Sequence, residues 1–169
     1  MVENIKRIDT TIRGLRRYRN PGSLQDHLYK PDYVHLNPEA SCDGCRCDPS
    51  QRVQRATDVE HSELYVVVHR GTIASGELVV KNTTLRDQWA REYGVLCFEM
   101  EATGALADFP CIVISGISDY CDSHKNDQWH GYAAAAAAAH ARQLFFHMPI
   151  DEINRCVLAS DSQLSTYLS

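Results

Sequence analysis

The pattern of hydrophobic and polar positions divides the chain into two unlike parts. Near the N-terminus, apolar residues recur at spacings of three and four, a stripe formed by Ile5, Ile8, Ile12 and Leu15. This spacing predicts an amphipathic helix over residues 4–18, within an N-terminal segment 1–20. From there to about residue 61, Pro, Asp, Asn, Ser and Cys follow one another without a regular period. We therefore predict a loop-rich segment over residues 21–62.

The second part alternates strand-like and helix-like stretches. Apolar and β-branched runs predict strands over residues 64–68, 95–98 and 111–115, and two glycines bound a predicted turn at 71–76. Helical patterns predict helices over residues 84–93, 99–106 and 131–148. The alternation is typical of an α/β fold. We assign residues 63–149 to one such domain and residues 150–169 to a C-terminal tail.

Charge and composition exclude some classes of function. The chain contains 17 Lys and Arg residues and 22 Asp and Glu residues, which gives a net charge of −5. Nucleic-acid binding needs positive side chains that neutralise phosphates, so this charge argues against it. No apolar run approaches the roughly 20 residues that cross a bilayer, so we expect no membrane partner. The N-terminus lacks the apolar centre of a secretory signal, and the seven cysteines are an odd number, as expected of reduced thiols. We therefore expect a cytoplasmic protein.

Three short stretches carry candidate chemistry, because each falls near the end of a predicted strand, where α/β sheets build ligand sites. They cover residues 71–76, 98–101 and 117–119. Each has a structural alternative. The carboxylates of Glu99 and Glu101 also suit the positive end of a helix dipole, and Ser118 with Asp119 also suits a helix cap or a turn.

Together these stretches resemble the nucleoside phosphorylase superfamily, which includes purine and uridine phosphorylases and methylthioadenosine/S-adenosylhomocysteine nucleosidase. The similarity is to the version found in fungal signalling proteins and runs over residues 18–146. It passes through the sequences Gly-Val-Leu-Cys-Phe-Glu-Met-Glu-Ala at 94–102, Gly-Ile-Ser-Asp-Tyr at 116–120 and Asp-Ser-His-Lys-Asn at 122–126. The resemblance implies a three-layer α/β/α sandwich, present here as its C-terminal half.

The resemblance also implies roles for individual residues. Asp119 corresponds to the acid beside the purine N7, and Ser118 to the hydroxyl next to it. Glu101 corresponds to the carboxylate that accepts hydrogen bonds from the ribose hydroxyls, and Met100 to the methionine against the sugar. The other implied substrate-binding positions are Phe98, Glu99, Val79 and Val80. Protonation of the departing base is general-acid catalysis, so we expect burial to raise the pKa of Asp119.

The implied activity is cleavage of the N-glycosidic bond of a purine-type nucleoside, as a glycosyltransferase with phosphate as co-substrate or as an N-ribosyl hydrolase with water. No cofactor is implied. Before Gly71 no strand leads into a glycine-rich phosphate loop, so we expect the first strands and the anion site to be absent and the chain alone to be weakly active or inactive. A partial sheet exposes an edge, which favours homo-oligomers. The alternative is a non-catalytic nucleoside-sensing module.

The spacing Cys42-x-x-Cys45-x-Cys47 also suggests zinc, with His35 or His61 as a fourth ligand. Structural zinc sites usually show two spaced pairs of ligands, and the second pair is missing here. The sequence therefore favours a loop with reduced cysteines and no metal, while a small zinc-binding module stays open.

Overall fold

Helices and a short parallel sheet form the regular structure of the chain. The computed structural model describes residues 1–37, 40–54, 66–108 and 111–149. In chain order, its α-helices and strands are α1 (Val2–Lys6), β1 (Thr72–Ser75), α2 (Thr83–Tyr93), β2 (Val95–Glu99), α3 (Ala102–Asp108) and α4 (His130–His147). Single turns of 3₁₀ helix cover Arg13–Tyr18, Ser23–Gln25 and Pro49–Gln51. The predicted tail, 150–169, lies outside the described residues.

Helix α2 forms where local sequence signals are complete. At its start, the Asn82 side chain accepts a hydrogen bond from the backbone N–H of Leu85 at 3.1 Å, which satisfies one of the free N–H groups of the first turn. At its end, Gly94 takes the left-handed conformation with φ of 65°, which glycine adopts without a steric penalty. The helix predicted over residues 84–93 is thereby confirmed.

The described sheet consists of two parallel strands. Ile73 pairs with Cys97 and Ser75 with Glu99, and an irregularity in the register follows Thr72. A Cβ at Gly71 would lie 2.6 Å from a terminal methyl group of Leu96, so the chain approaches β2 closely where β1 begins. The turn predicted at 71–76 was wrong, because residues between the two glycines pair with β2. Residues 66–68 of the predicted strand 64–68 are not in a strand, and residues 64 and 65 lie outside the described part.

The apolar run at 111–115 is not a strand in the described structure. Cys111 is exposed and the Ile112 side chain is 84% exposed, so this predicted strand was wrong. A strand needs a hydrogen-bonding neighbour, and β1 and β2 form a sheet of two strands. The helices and the parallel pair agree with an α/β fold. The three-layer sandwich stays a prediction.

The N-terminal helix is shorter than its apolar stripe predicts. Helix α1 ends at Lys6, and the chain resumes as a 3₁₀ helix at Arg13–Tyr18. Between them, the Asp9 carboxylate accepts hydrogen bonds from the backbone N–H and the hydroxyl of Thr11, at 3.0 and 2.6 Å. Such a local side-chain bond offers the backbone an alternative to the helical ladder, which explains why the prediction over 4–18 was wrong.

Helix α4 packs against α1 in an apolar cluster of the described residues. Its buried residues recur at helical spacing, namely Tyr132, Ala133, Ala135 and Ala139, and Tyr132 and Ala139 pack with Ile5 of α1. The small alanine side chains let the backbone of other segments approach. A Cβ at Gly116 would collide with the carbonyl oxygen of Ala133. None of the helices in the described ranges is long and apolar enough to cross a membrane.

Replacing Gly116 with alanine should therefore destabilise the protein. The added Cβ has no space beside the Ala133 carbonyl, and overpacking of this kind costs about 1–3 kcal/mol in the free energy of unfolding. Gly104→Ala is the matched control, because nothing lies within 4 Å of a Cβ there and alanine favours helix α3. Urea denaturation of both variants measures the difference. Equal stability of the two would contradict the close approach of Gly116 to α4.

Candidate functional site

A polar cavity of about 190 Å³ lies where the loop before α4 meets the end of the second 3₁₀ helix. Its walls come from residues 117–129 and 25–27, with side chains of both charges and several aromatic rings. The residues predicted as catalytic line it, together with polar neighbours: Ser118, Asp119, Asp122, His124, Lys125 and Asn126. Trp129 closes one side, and its Nε1–H donates to the carbonyl oxygen of Gln25 at 3.3 Å.

The Asp119 carboxylate is fixed by three donors. Its Oδ1 accepts from the backbone N–H of Cys121 at 2.9 Å, and its Oδ2 lies 3.1 Å from the Lys125 ammonium and 3.2 Å from the Ser118 hydroxyl. The Asp119 side chain is only 10% exposed. Cys121 has a φ of 52°, a left-handed conformation that is uncommon outside glycine.

These contacts set the charge of Asp119. Burial acts to raise the pKa of its carboxyl, but the hydrogen bond from Cys121, the ion pair with Lys125 and the Ser118 hydroxyl outweigh burial and hold the pKa below its ordinary value. The expectation that burial raises the pKa of Asp119 was therefore wrong. Asp119 is an ionised hydrogen-bond acceptor at neutral pH.

Two stacked aromatic rings join the loop before α4 to the loop-rich segment. The His124 ring stacks on Tyr29, with ring centroids 4.0 Å apart, and Tyr29 is 1% exposed. Both His124 nitrogens are buried and have no hydrogen-bond partner among the described residues. Burial is the main cause that lowers the pKa of His124, so its ring is neutral at pH 7. Burial likewise raises the pKa of Asp122, whose Oδ1 accepts from the His124 backbone N–H at 2.9 Å.

The Glu-Met-Glu stretch lies at the end of β2 and does not line this cavity. Glu99 Oε2 accepts from the backbone N–H groups of Glu101 and Ala102 at 2.9 and 2.8 Å, and the Ser75 hydroxyl contributes most to lowering the pKa of Glu99. This contact agrees with the alternative interpretation, in which a carboxylate caps a helix start. Glu101 is exposed and accepts from the backbone N–H of Met100 at 3.2 Å.

The positions predicted to line a base pocket do not line the Asp119 cavity either. Phe98 packs on Trp89 of α2, with ring centroids 5.7 Å apart. Val80 is buried, while Val79 is 43% exposed in the loop between β1 and α2. The cavity thus brings together Ser118 and Asp119 and none of the six predicted substrate-binding residues. Their roles stay predictions.

Sequence reasoning assigned no site role to residues of the loop-rich segment that contribute to this cavity. Part of the cavity wall is formed by Gln25, Asp26 and His27, and the Tyr29 ring stacks on the ring of His124. Tyr120 reaches across the cavity, and its hydroxyl donates to the Asp26 carboxylate at 2.7 Å. The only signal in the sequence is the density of aromatic and histidine residues over 27–35, because no periodic pattern places them.

A second group of polar side chains meets beside the same loop. The ligand atoms of His35, Cys42 and Cys47 all lie within 4.8 Å of one another. Cys45 Sγ is 4.0 Å from Nδ1 of His35. Burial and the neighbouring Cys47 thiol raise the pKa of Cys42 to about 11, so this cysteine is a neutral thiol at pH 7 when no cation is bound. His61 lies outside the described residues.

Glu99 and Glu101 should differ in their effect on stability. Glu99→Gln weakens the acceptor at the start of α3 and is expected to lower the free energy of unfolding by about 1 kcal/mol. Glu101→Gln changes an exposed side chain and should leave stability within about 0.5 kcal/mol. Thermal unfolding of the two variants tests this. A loss in Glu101→Gln as large as in Glu99→Gln would contradict the capping role.

Comparison with known proteins identifies the family. The phosphorylase superfamily model matches residues 16–146. A nucleotide-binding leucine-rich repeat (NLR)-like protein of Hyaloscypha variabilis is 51% identical over 74 residues, which is 44% of this chain and 8% of that protein. ATP nucleosidase Cap17 of Escherichia coli is 37% identical over 79 residues, which is 43% of this chain and 16% of that protein.

The chain thus spans only a small part of the length of these relatives, and the comparison with solved structures gave no significant match. The family match extends over the Ser118–Asp119 cavity and the end of β2, and it confirms the resemblance inferred from the sequence. The chain belongs to the phosphorylase superfamily.

Proposed function

We propose that this chain hydrolyses the N-glycosidic bond of a purine nucleoside or nucleotide, with Asp119 and Ser118 at the departing base. Membership of the superfamily supports the reaction type, and similarity to a protein named as an ATP nucleosidase favours an adenine-type substrate and water as the nucleophile. The observation that carries the proposal is the buried Asp119 carboxylate, held between Lys125 and Ser118 at the wall of a cavity.

The chemistry of the bond explains the need for such a carboxylate. When the bond between the sugar carbon and the base nitrogen breaks, its electron pair stays on the base, and a proton delivered to N7 neutralises the developing charge. Asp119 is ionised at neutral pH, so it takes up a proton from solvent as the base enters and displaces water. It then donates that proton to N7, while the Ser118 hydroxyl holds the carboxyl in place.

Turnover by this chain is expected to be slow. A cavity of about 190 Å³ is below the range of about 300–1,000 Å³ that small-molecule sites usually occupy, and it suits a base better than a complete nucleotide. Glu101, which the family resemblance assigns to the ribose, does not line this cavity. Without a carboxylate on the sugar, the substrate is oriented less firmly, and orientation supplies a large share of catalysis.

One observation favours a second candidate function, which is binding of a purine ligand without turnover. The ion pair with Lys125 and the bond from Cys121 keep Asp119 ionised. An ionised carboxylate accepts a hydrogen bond from an amino or protonated ring nitrogen but donates no proton. A chain that keeps this state with the ligand bound would be a sensor.

Release of free base distinguishes the two functions. The full chain is incubated with ATP or adenosine, with and without inorganic phosphate, and adenine is measured by chromatography. We expect slow adenine release that does not need phosphate, and a fall of at least about 100-fold in Asp119→Asn, because the variant has no acidic proton to donate. Asp127→Asn is the matched control, since its carboxylate is 87% exposed and does not line the cavity.

Three other results of this experiment would change or overturn the proposed hydrolysis. Adenine release that requires phosphate would replace hydrolysis with phosphorolysis. Ligand binding by calorimetry without release of base would support the sensor. Neither binding nor release, in a chain that circular dichroism shows to be folded, would overturn both proposals.

The pH dependence of the activity tests the role of the ion pair. Lys125 lowers the pKa of Asp119, so Lys125→Met should raise this pKa and keep the protonated acid available at higher pH. The alkaline limb of kcat, which reports the bound state in which Asp119 carries its proton, is therefore expected to move to higher pH in the variant. Lys6→Met, which removes an exposed ion pair with Glu3 on α1, is the control. An alkaline limb at unchanged or lower pH in Lys125→Met would mean that Asp119 is not the acid.

A further inference from the structure

A cluster of thiols and one imidazole lies beside the candidate site and takes no part in the proposed reaction. It consists of His35, Cys42, Cys45 and Cys47, all within the loop-rich segment. We propose that these four residues bind one Zn²⁺ ion, which fixes the loop that supports the Asp119 cavity.

The distances are those of a metal site. Around a tetrahedral zinc ion with Zn–S bonds of about 2.3 Å, neighbouring ligand atoms lie about 3.8 Å apart. The ligand atoms of His35, Cys42 and Cys47 are all within 4.8 Å of one another, about 1 Å from that value. Cys45 Sγ lies 4.0 Å from Nδ1 of His35 and 3.8 Å from the carbonyl oxygen of Asn37, outside the close group of three, so it becomes the fourth ligand by turning from Asn37 toward the other three.

The backbone of the loop turns the thiols toward a common point. The N–H of Cys45 donates to the carbonyl oxygen of Ser41 at 2.9 Å, and the N–H of Cys47 donates to that of Cys42 at 2.9 Å. Between these bonds Arg46 has a φ of 51°, so the chain reverses just before Cys47. The reversal places Cys47 beside Cys42 although five positions separate them.

A separate observation points to a ligand in the same place. His35 and Cys42 line a second cavity of about 70 Å³ together with His124. His124 is 6% exposed, and neither of its ring nitrogens has a hydrogen-bond partner in the described part of the chain. Buried polar groups without a partner are rare in native proteins, and an ordered water or an ion in the adjoining cavity is one explanation of them.

The donor set selects zinc. Three thiolates and one imidazole are the ligands of Cys₃His structural sites, whereas magnesium and calcium prefer oxygen. Four protein ligands leave no open coordination position, so the ion would be structural. The sequence favoured a metal-free loop because a second cysteine pair is missing. In the structure, the ring of His35, which precedes the cysteines in the chain, lies beside Cys42 and Cys47 and supplies the further ligand.

The position of the cluster gives it a structural role toward the candidate site. The backbone N–H of His35 donates to the Ser123 hydroxyl at 2.9 Å, and the His35 ring meets His124 edge to face, with centroids 5.2 Å apart. Both partners belong to the loop that carries Asp119 and Lys125. An ion on His35 would therefore hold this loop as well as the cysteine loop.

Metal analysis of the purified full chain tests the proposal. We expect about one zinc ion per chain by elemental analysis, and a Co²⁺-substituted protein with the visible absorption bands of tetrahedral thiolate coordination. Cys42→Ser and Cys47→Ser should each lose most of the bound zinc. Cys111→Ser is the matched control, because Cys111 is exposed and lies far along the chain from the cluster.

Thiol reactivity of the unaltered chain gives a result that does not depend on folding of the variants. Three cysteines should react slowly with a colorimetric thiol reagent until a chelator is added, and the chelator should release zinc at the same time. Absence of bound metal after zinc is supplied under reducing conditions would overturn the proposal. A disulfide between Cys42 and Cys47, or zinc that remains in both serine variants, would overturn it as well.

Discussion

The contacts around the Asp119 carboxylate are the constraint on which the candidate site depends. Asp119 is nearly buried, yet its charge is tolerated because a backbone N–H, a hydroxyl and an ammonium group all point at it. Cys121, which supplies the backbone N–H, has a left-handed conformation with a φ of 52°. Strained backbone of this kind persists where the surrounding structure fixes it. The same three contacts therefore fix both the position and the protonation state of Asp119.

Elements that depend on local signals were predictable from the sequence, and elements that depend on distant partners were not. Helix α2 has its own cap and its own terminating glycine, and α4 has an alanine run of high helix propensity, so both were predicted within one or two residues. The run at 111–115 has the composition of a buried strand, but strand formation requires a neighbour. Its exposed Ile112 and the exposed Phe145 of α4 agree with the predicted self-association, which stays a prediction.

The candidate site was predictable only in part, and for a similar reason. Family resemblance pointed to Ser118 and Asp119, and the structure places both at one cavity. The sequence predicted a raised pKa for Asp119 because the apolar run before it indicates burial. The contacts with Lys125 and Cys121, which lower this pKa, arise from the fold of the loop and cannot be read from the sequence. Tyr29 was missed because its partner His124 lies 95 positions further along the chain. Whether Glu101 lines the cavity depends on how β2 and the 111–119 segment are arranged, which no local pattern determines.

The loop-rich segment is part of the candidate site. Gln25, His27, His124, Lys125 and Asn126 line both cavities, so the wall of the Asp119 cavity is also a wall of the cysteine cluster. The stacked rings of Tyr29 and His124 join the two segments through a buried contact that neither could form alone. A change in the conformation of the cysteine loop should therefore also shift the residues beside Asp119, because the same side chains line both cavities. The geometry of the candidate acid depends on residues almost a hundred positions away, in a segment without helical or strand periodicity.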